Sequence, residues 1–124
     1  MTGLDTVFEE LGQRLGLREV RFGKDEPFTL IIDGAGTVTF EMSGDLGDLL
    51  ISLAWPLPAY DKETLPRALA ACSLENSLDF PLQAGLFNDE LLLMVRRNPA
   101  QLSAPDLEAL VLKLVKIRDQ LSRT

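Results

Sequence analysis

The sequence contains no histidine, and that absence removes more chemistry than any other feature it has. Imidazole proton shuttling near neutral pH, Ser-His and Cys-His nucleophile pairs and His-ligated metals are all excluded. Cysteine occurs once, at Cys72, so no internal disulfide can form and nothing points to an oxidising compartment. Basic residues are scarce as well: 12 Lys and Arg stand against 19 Asp and Glu, a formal net charge of −7. Phosphate contacts need basic side chains, so nucleic acid and anionic membrane surfaces are poor partners for this chain. Long apolar runs are missing. The longest, Leu49 to Pro58, is broken by Ser52 and two prolines and falls well short of the roughly 20 residues of a membrane span. The opening MTGLDTVFEE is acidic where a signal peptide is basic, and no lipidation motif is present. The expectation is a cytoplasmic protein with no membrane insertion.

What remains is an ordinary globular composition. The 124 residues are 46% hydrophobic and 25% charged, enough for one domain over residues 1–124 with a real core. Leu4, Val7, Phe8, Leu11 and Leu15 recur at helical spacing, with Thr2 and Asp5 as a capping pair and Gly16 as a stop. Glu19 to Phe22 reads as a brief strand or the approach to one. Phe28, Leu30 and Ile32 then share one face of a strand, and Asp33-Gly34-Ala35-Gly36 supplies a tight turn. Val38, Phe40 and Met42 alternate with Thr37, Thr39 and Glu41 in a second strand, with a turn region from Ser43 to Gly47 after it. Asp48 to Trp55 makes a third strand, which Pro56 and Pro58 should stop.

A second helix spans Asp61 to Asn76, starting between Asp61 and Pro66. Its apolar residues reach around the cylinder: Leu65, Ala68, Leu69 and Cys72 on one face, Ala70, Ala71 and Leu74 beyond it. A helix apolar on two sides is buried on two sides, and in so small a domain a second chain can supply the other cover. Leu78 to Phe87 and Glu90 to Arg97 form a hairpin about Asn88-Asp89, the first strand an edge or a bent one because of Pro81, the second central and ended by Asn98-Pro99. Ser103, Pro105 and Asp106 open a last helix carrying Leu107, Leu110, Val111, Leu114, Ile117 and Leu121 as its stripe. Lys113, Lys116, Arg118 and Arg123 suit the negative end of its dipole. The order is α-β-β-β-α-β-β-α: an α+β fold with an antiparallel sheet of about five strands under the first and last helices.

Chemistry-bearing constellations are few. Glu9-Glu10, Asp25-Glu26 and Asp89-Glu90 lack the spacing of a calcium loop, and sequence neighbours diverge in direction. Asp33-Gly34-Ala35-Gly36 leads into a strand rather than the helix a phosphate loop needs. Cys72 sits among Leu69, Ala70 and Ala71 as a small apolar residue, not an activated thiol. Arg96-Arg97 reads as a solvated strand end, and Trp55, with no basic neighbours, as packing rather than a stacking platform.

The element order, the small acidic chain and the capped last helix together resemble the class I type III secretion chaperones, the Tir-chaperone family. The most telling pieces are Leu30-Ile31-Ile32-Asp33 before a hairpin, the Leu65 to Asn76 helix, and Gly85-Leu86 leading to Glu90-Leu91-Leu92-Leu93. The resemblance implies a bacterial homodimer without catalysis or cofactor. Such a dimer binds the N-proximal region of a secreted effector in extended form and presents it to the secretion ATPase. An extended ligand can be held by strand addition at a sheet edge and by apolar side chains entering grooves. Phe22, Phe28, Leu30 and Trp55, on the early strands, are the candidate contact residues, each equally suited to core packing. Leu65, Ala68, Leu69 and Cys72 are the candidate dimer contacts. Two other readings stand beside this one: a module of the same fold with an interaction or regulatory role outside secretion, and a small enzyme working through carboxylates or Arg alone.

Overall fold

A computed structural model describes residues 3–15, 28–42, 48–76, 82–98 and 102–122. Phe22 and the segment Glu19 to Phe22 lie outside these residues, as do the Thr2 cap, the Gly16 stop, the turn at 43–47, Leu78 to Pro81 and Pro99. The elements are α1 (Gly3–Arg14), β1 (Phe28–Ile32), β2 (Gly36–Met42), β3 (Leu49–Pro56), α2 (Thr64–Asn76), β4 (Leu82–Phe87), β5 (Glu90–Arg97) and α3 (Ala104–Ser122). The fold is α+β, with every strand pairing antiparallel in the order β1-β2-β3-β5-β4. β5 is therefore central and β4 an edge, as the apolar run of the one and the proline ahead of the other suggest.

Turn chemistry fixes both hairpins. Gly34, at φ 78°, takes the third position of a turn closed by the Ala35 N–H donating to the Ile32 carbonyl at 3.0 Å. Asn88 and Asp89, at φ 52° and 63°, form the two-residue turn whose twist matches antiparallel strands. The third strand runs one residue beyond Trp55 and stops at Pro56, which is still paired with Glu90. A proline at the last position forfeits no interior ladder bond.

The core lies on one side of the sheet. Phe28, Leu30, Val38, Phe40, Leu49, Ile51, Leu53, Trp55, Leu91, Leu93 and Val95 all point to it and are buried. Phe8 and Leu11 of α1 and the full stripe of α3, from Leu107 to Leu121, close over them. Phe8 stacks on Phe28 at 4.7 Å between ring centroids and leans on Phe40 at 5.4 Å, which fastens α1 over the first hairpin. Ala68 and Cys72 bring α2 into the same cluster. An Arg14–Glu108 ion pair at 3.1 Å bridges α1 and α3 at the surface, where such pairs contribute at most about 1 kcal/mol.

Two aspartates start the later helices. Asp61 Oδ1 accepts from the Glu63 and Thr64 amides at 3.0 Å, and its Oδ2 accepts from the Thr64 hydroxyl at 2.6 Å. Asp106 Oδ2 accepts from the Ser103 amide at 3.0 Å and hydroxyl at 2.8 Å, while Ser103 Oγ accepts from the Asp106 amide at 3.4 Å. The Thr64 hydroxyl, then its amide, holds the Asp61 carboxyl below its ordinary value of 3.8; the Ser103 hydroxyl and amide do the same for Asp106. A carboxyl lowered in the folded state adds stability above the unfolded value and loses it as pH falls through the folded one. Acid titration of the folded protein should therefore show stability declining below about pH 4, and D61N and D106N should each flatten that decline. Equal acid sensitivity in wild type and both variants would contradict it.

Candidate functional site: the open face and edge of the sheet

Period-two alternation leaves one set of strand residues facing away from the helices. From β1 to β4 these form cross-strand rows: Ile31, Thr37, Ala54, Leu92 and Gly85 in one, Thr29, Thr39, Ser52, Met94 and Gln83 in the next. Glu41, Leu50 and Arg96 follow below, and Phe87, Glu90 and Pro56 lie at the other end. No described helix contributes a buried side chain on this side. The β2 part is polar, as a solvated antiparallel face should be. The β3 and β5 part is mostly apolar, with Ser52 between Leu50 and Ala54. Leu50, Ala54, Leu92 and Met94 are half-buried there, while Ile31 and Phe87 are 71% and 66% exposed.

Two clefts open on the described surface. One, of about 410 Å³, lies where β3, β5 and β4 end on the helix-free side, with Leu50 and Met94 beside Asp48, Gln83, Arg96 and Asn98. Arg96 approaches Asp48 at 4.0 Å, too far for a hydrogen bond. The other, of about 250 Å³, lies between the end of β3 and α3, with Trp55, Pro56 and Pro58 facing Arg118. The Arg118 guanidinium sits 5.5 Å from the centre of the Trp55 ring and reaches Asp119 at 3.3 Å. No local pattern points to this pairing, since 63 positions, the difference between residues 118 and 55, separate the partners. No group of His, Cys, Asp or Glu able to hold a metal ion occurs among the described residues. No helix there is long and apolar enough to cross a membrane.

The sequence-predicted contact residues divide. Phe28 and Leu30 are 1% exposed and Trp55 is 5% exposed, all in the core of this chain. A side chain so covered offers no surface to a ligand; the alternation that placed them together on one face placed them under the helices. Between Phe28 and Leu30, Thr29 faces outward, and Ile31 follows it. Of the residues expected at a dimer contact, Ala68 and Cys72 are covered by their own chain, Leu65 is half-buried, and Leu69 is 50% exposed. Ala68 and Cys72 are the positions through which α2 meets the core, while Leu69 and Ala70 stay exposed on its outer side. Ile31, Leu86 and Phe87, all more than half exposed, are not among the contact residues expected from the sequence.

The family model of the Tir chaperone protein (CesT) family matches residues 6–122 of the chain. The chain belongs to that family. Among solved structures, this family member is similar to the chaperone in the HopA1–SchA chaperone–effector complex, at 17% identity and a TM-score of 0.72, over 98% of this chain and 94% of that one. A chain of the ExsC–ExsE complex is similar at 21% identity and 0.72, over 96% and 88%. The type III secretion chaperone SycH of Yersinia pestis, solved with a stable fragment of YscM2, is similar at 18% identity and 0.64, over 94% and 98%. At these identities the likeness is one of fold. No curated protein matches the chain.

Proposed function

We propose that this chain is a type III secretion chaperone that works as a cytoplasmic homodimer. It binds the N-proximal segment of a secreted effector, keeps it soluble and extended, and hands it to the secretion apparatus, the secretion ATPase being the partner at that step. The observation that carries the reading is the family match across residues 6–122. The geometry suits it. β1 is an edge strand, with the exposed Ile31 beside an edge to which an extended segment can add. The net charge of −7 keeps such a surface soluble and favours basic client segments. The chain acts by binding and not by turnover.

The test is capture from a secreting bacterium with the tagged chain, followed by mass spectrometry of whatever is bound. The expected result is one or a few secreted proteins, retained through fragments from their N-terminal regions. Recovery of only non-secreted partners would replace the reading with that of an interaction module outside secretion.

A further inference from the structure

We propose that the cleft between the end of β3 and the last turn of α3 takes the side-chain carboxylate of an acidic segment from a partner protein, with Arg118 as its anchor. Trp55, Pro56 and Pro58 line it on one side and Arg118 and Leu121 on the other, with Asp61 between. Neither edge strand is part of this lining, so the inference does not rest on the chaperone reading.

Arg118 is a cation whose hydrogen bonding the fold leaves incomplete. Its Nε is closed off from solvent and meets no acceptor among the described residues. Buried donors are nearly always paired, and one on a charged group is the costliest to leave unpaired. The contact of Nη1 with Asp119, at 3.3 Å, is longer than a charge-assisted hydrogen bond. It also joins adjacent helix residues, which do not face each other, and Asp119 is exposed to water. The Trp55 ring lies 5.5 Å from the guanidinium carbon. At 5% exposed, that ring offers a ligand no area of its own. What it does is hold the guanidinium against an apolar surface, where ionic hydrogen bonds are stronger than in water.

These features select the ligand. A carboxylate takes two parallel N–H bonds from one edge of a guanidinium, which is the geometry an unpaired Nε calls for. Rotation about the outer torsions of Arg118 turns that edge toward the cleft its side chain already lines. Asp61 does not compete for it: both of its oxygens accept from the Glu63 and Thr64 amides and the Thr64 hydroxyl. The charges of Asp61 and Asp119 oppose a phosphate dianion, so a monoanion is the better match to one arginine. The volume, about 250 Å³, is below the roughly 300–1,000 Å³ of sites that enclose whole small molecules. One acidic side chain fits. Pro56 and Pro58, both exposed, lie beside it for an apolar neighbour in the same segment, and bring no N–H to rival Arg118.

Trp55 is the single tryptophan of the chain and packs against Arg118, so its fluorescence reads the site directly. The probes are the blocked peptide acetyl-Ala-Leu-Glu-Leu-Ala-amide, the same peptide with Gln in place of Glu, and free phenylacetate. Calorimetry repeats each titration without relying on emission. The Glu peptide should bind saturably, and the Gln peptide about 10-fold or more weakly. Arg118→Gln should weaken the Glu peptide by a similar factor. Arg118→Lys, which keeps the charge and loses the fork, should fall between the two. Circular dichroism verifies folding, and if Arg118→Gln does not fold, Arg118→Lys and the Gln peptide decide the matter. Equal binding of the two peptides, unchanged binding by the Arg118 variants, or no heat and no emission change with the Glu peptide would each overturn the inference, with the chaperone reading intact. Phenylacetate binding as tightly as the Glu peptide would overturn the protein segment as occupant and give the cleft to a small free acid.

Discussion

Phe28→Ala should cost about 3–5 kcal/mol of folding stability, a large share of the about 5–15 kcal/mol that a domain of this kind has. Phe28 is 1% exposed and lies in a three-ring cluster. Its ring stacks on Phe8 at 4.7 Å, with 12° between the planes, and meets Phe40 at 5.5 Å. Those rings are what α1 and the first hairpin share, so truncation leaves a cavity that neither element can fill alone. The measurement is the urea midpoint, which should fall steeply. Ile31, three residues on but on the opposite face and 71% exposed, supplies the contrast. Ile31→Asp should change stability by no more than about 0.5 kcal/mol while lowering capture of an effector segment. A Phe28→Ala protein with an unchanged midpoint would remove Phe28 from the core and return it to the contact surface.

That contrast shows where the sequence was informative. Alternation correctly assigned Phe28 and Leu30 to one face and Thr29 and Ile31 to the other, because side-chain direction along a strand is purely local. Which face the helices cover is not local. A buried apolar face and an apolar binding face have the same composition, so Phe28, Leu30 and Trp55 fitted both descriptions until α1 and α3 were placed. Signals carried by a few adjacent residues were legible in full: Ser103 with Asp106, and the turns at Gly34 and at Asn88-Asp89. The breadth of α2 divides in the fold: Ala68 and Cys72 are the small residues through which it meets the core, and Leu69 and Ala70 remain exposed. The stacking of Arg118 on Trp55 depends on β3 and α3 meeting, which no local pattern encodes.

Gly36→Ala should be the most damaging substitution available at a glycine whose surroundings are described, at about 2–5 kcal/mol. Two independent causes act there. The backbone of Gly36 has φ 141°, a conformation that L side chains rarely adopt. A Cβ built on it would also collide with the Ala54 carbonyl oxygen and lie 3.3 Å from Leu53 Cδ1. The carbonyl belongs to the ladder between β2 and β3, where Thr37 pairs with Ala54, so it cannot withdraw without disturbing that pairing. Gly34, two residues earlier in the same turn, separates the two causes. It also has positive φ, 78°, but a Cβ there would meet nothing within 4 Å. Gly34→Ala should cost only the roughly 1–2 kcal/mol of a left-handed alanine, and Gly34→Asn less, since asparagine tolerates that region. Thermal unfolding of the three variants should rank Gly36→Ala lowest by a clear margin. Equal losses at 34 and 36 would mean that the close approach of β3 to the turn contributes nothing and that backbone conformation alone sets the cost.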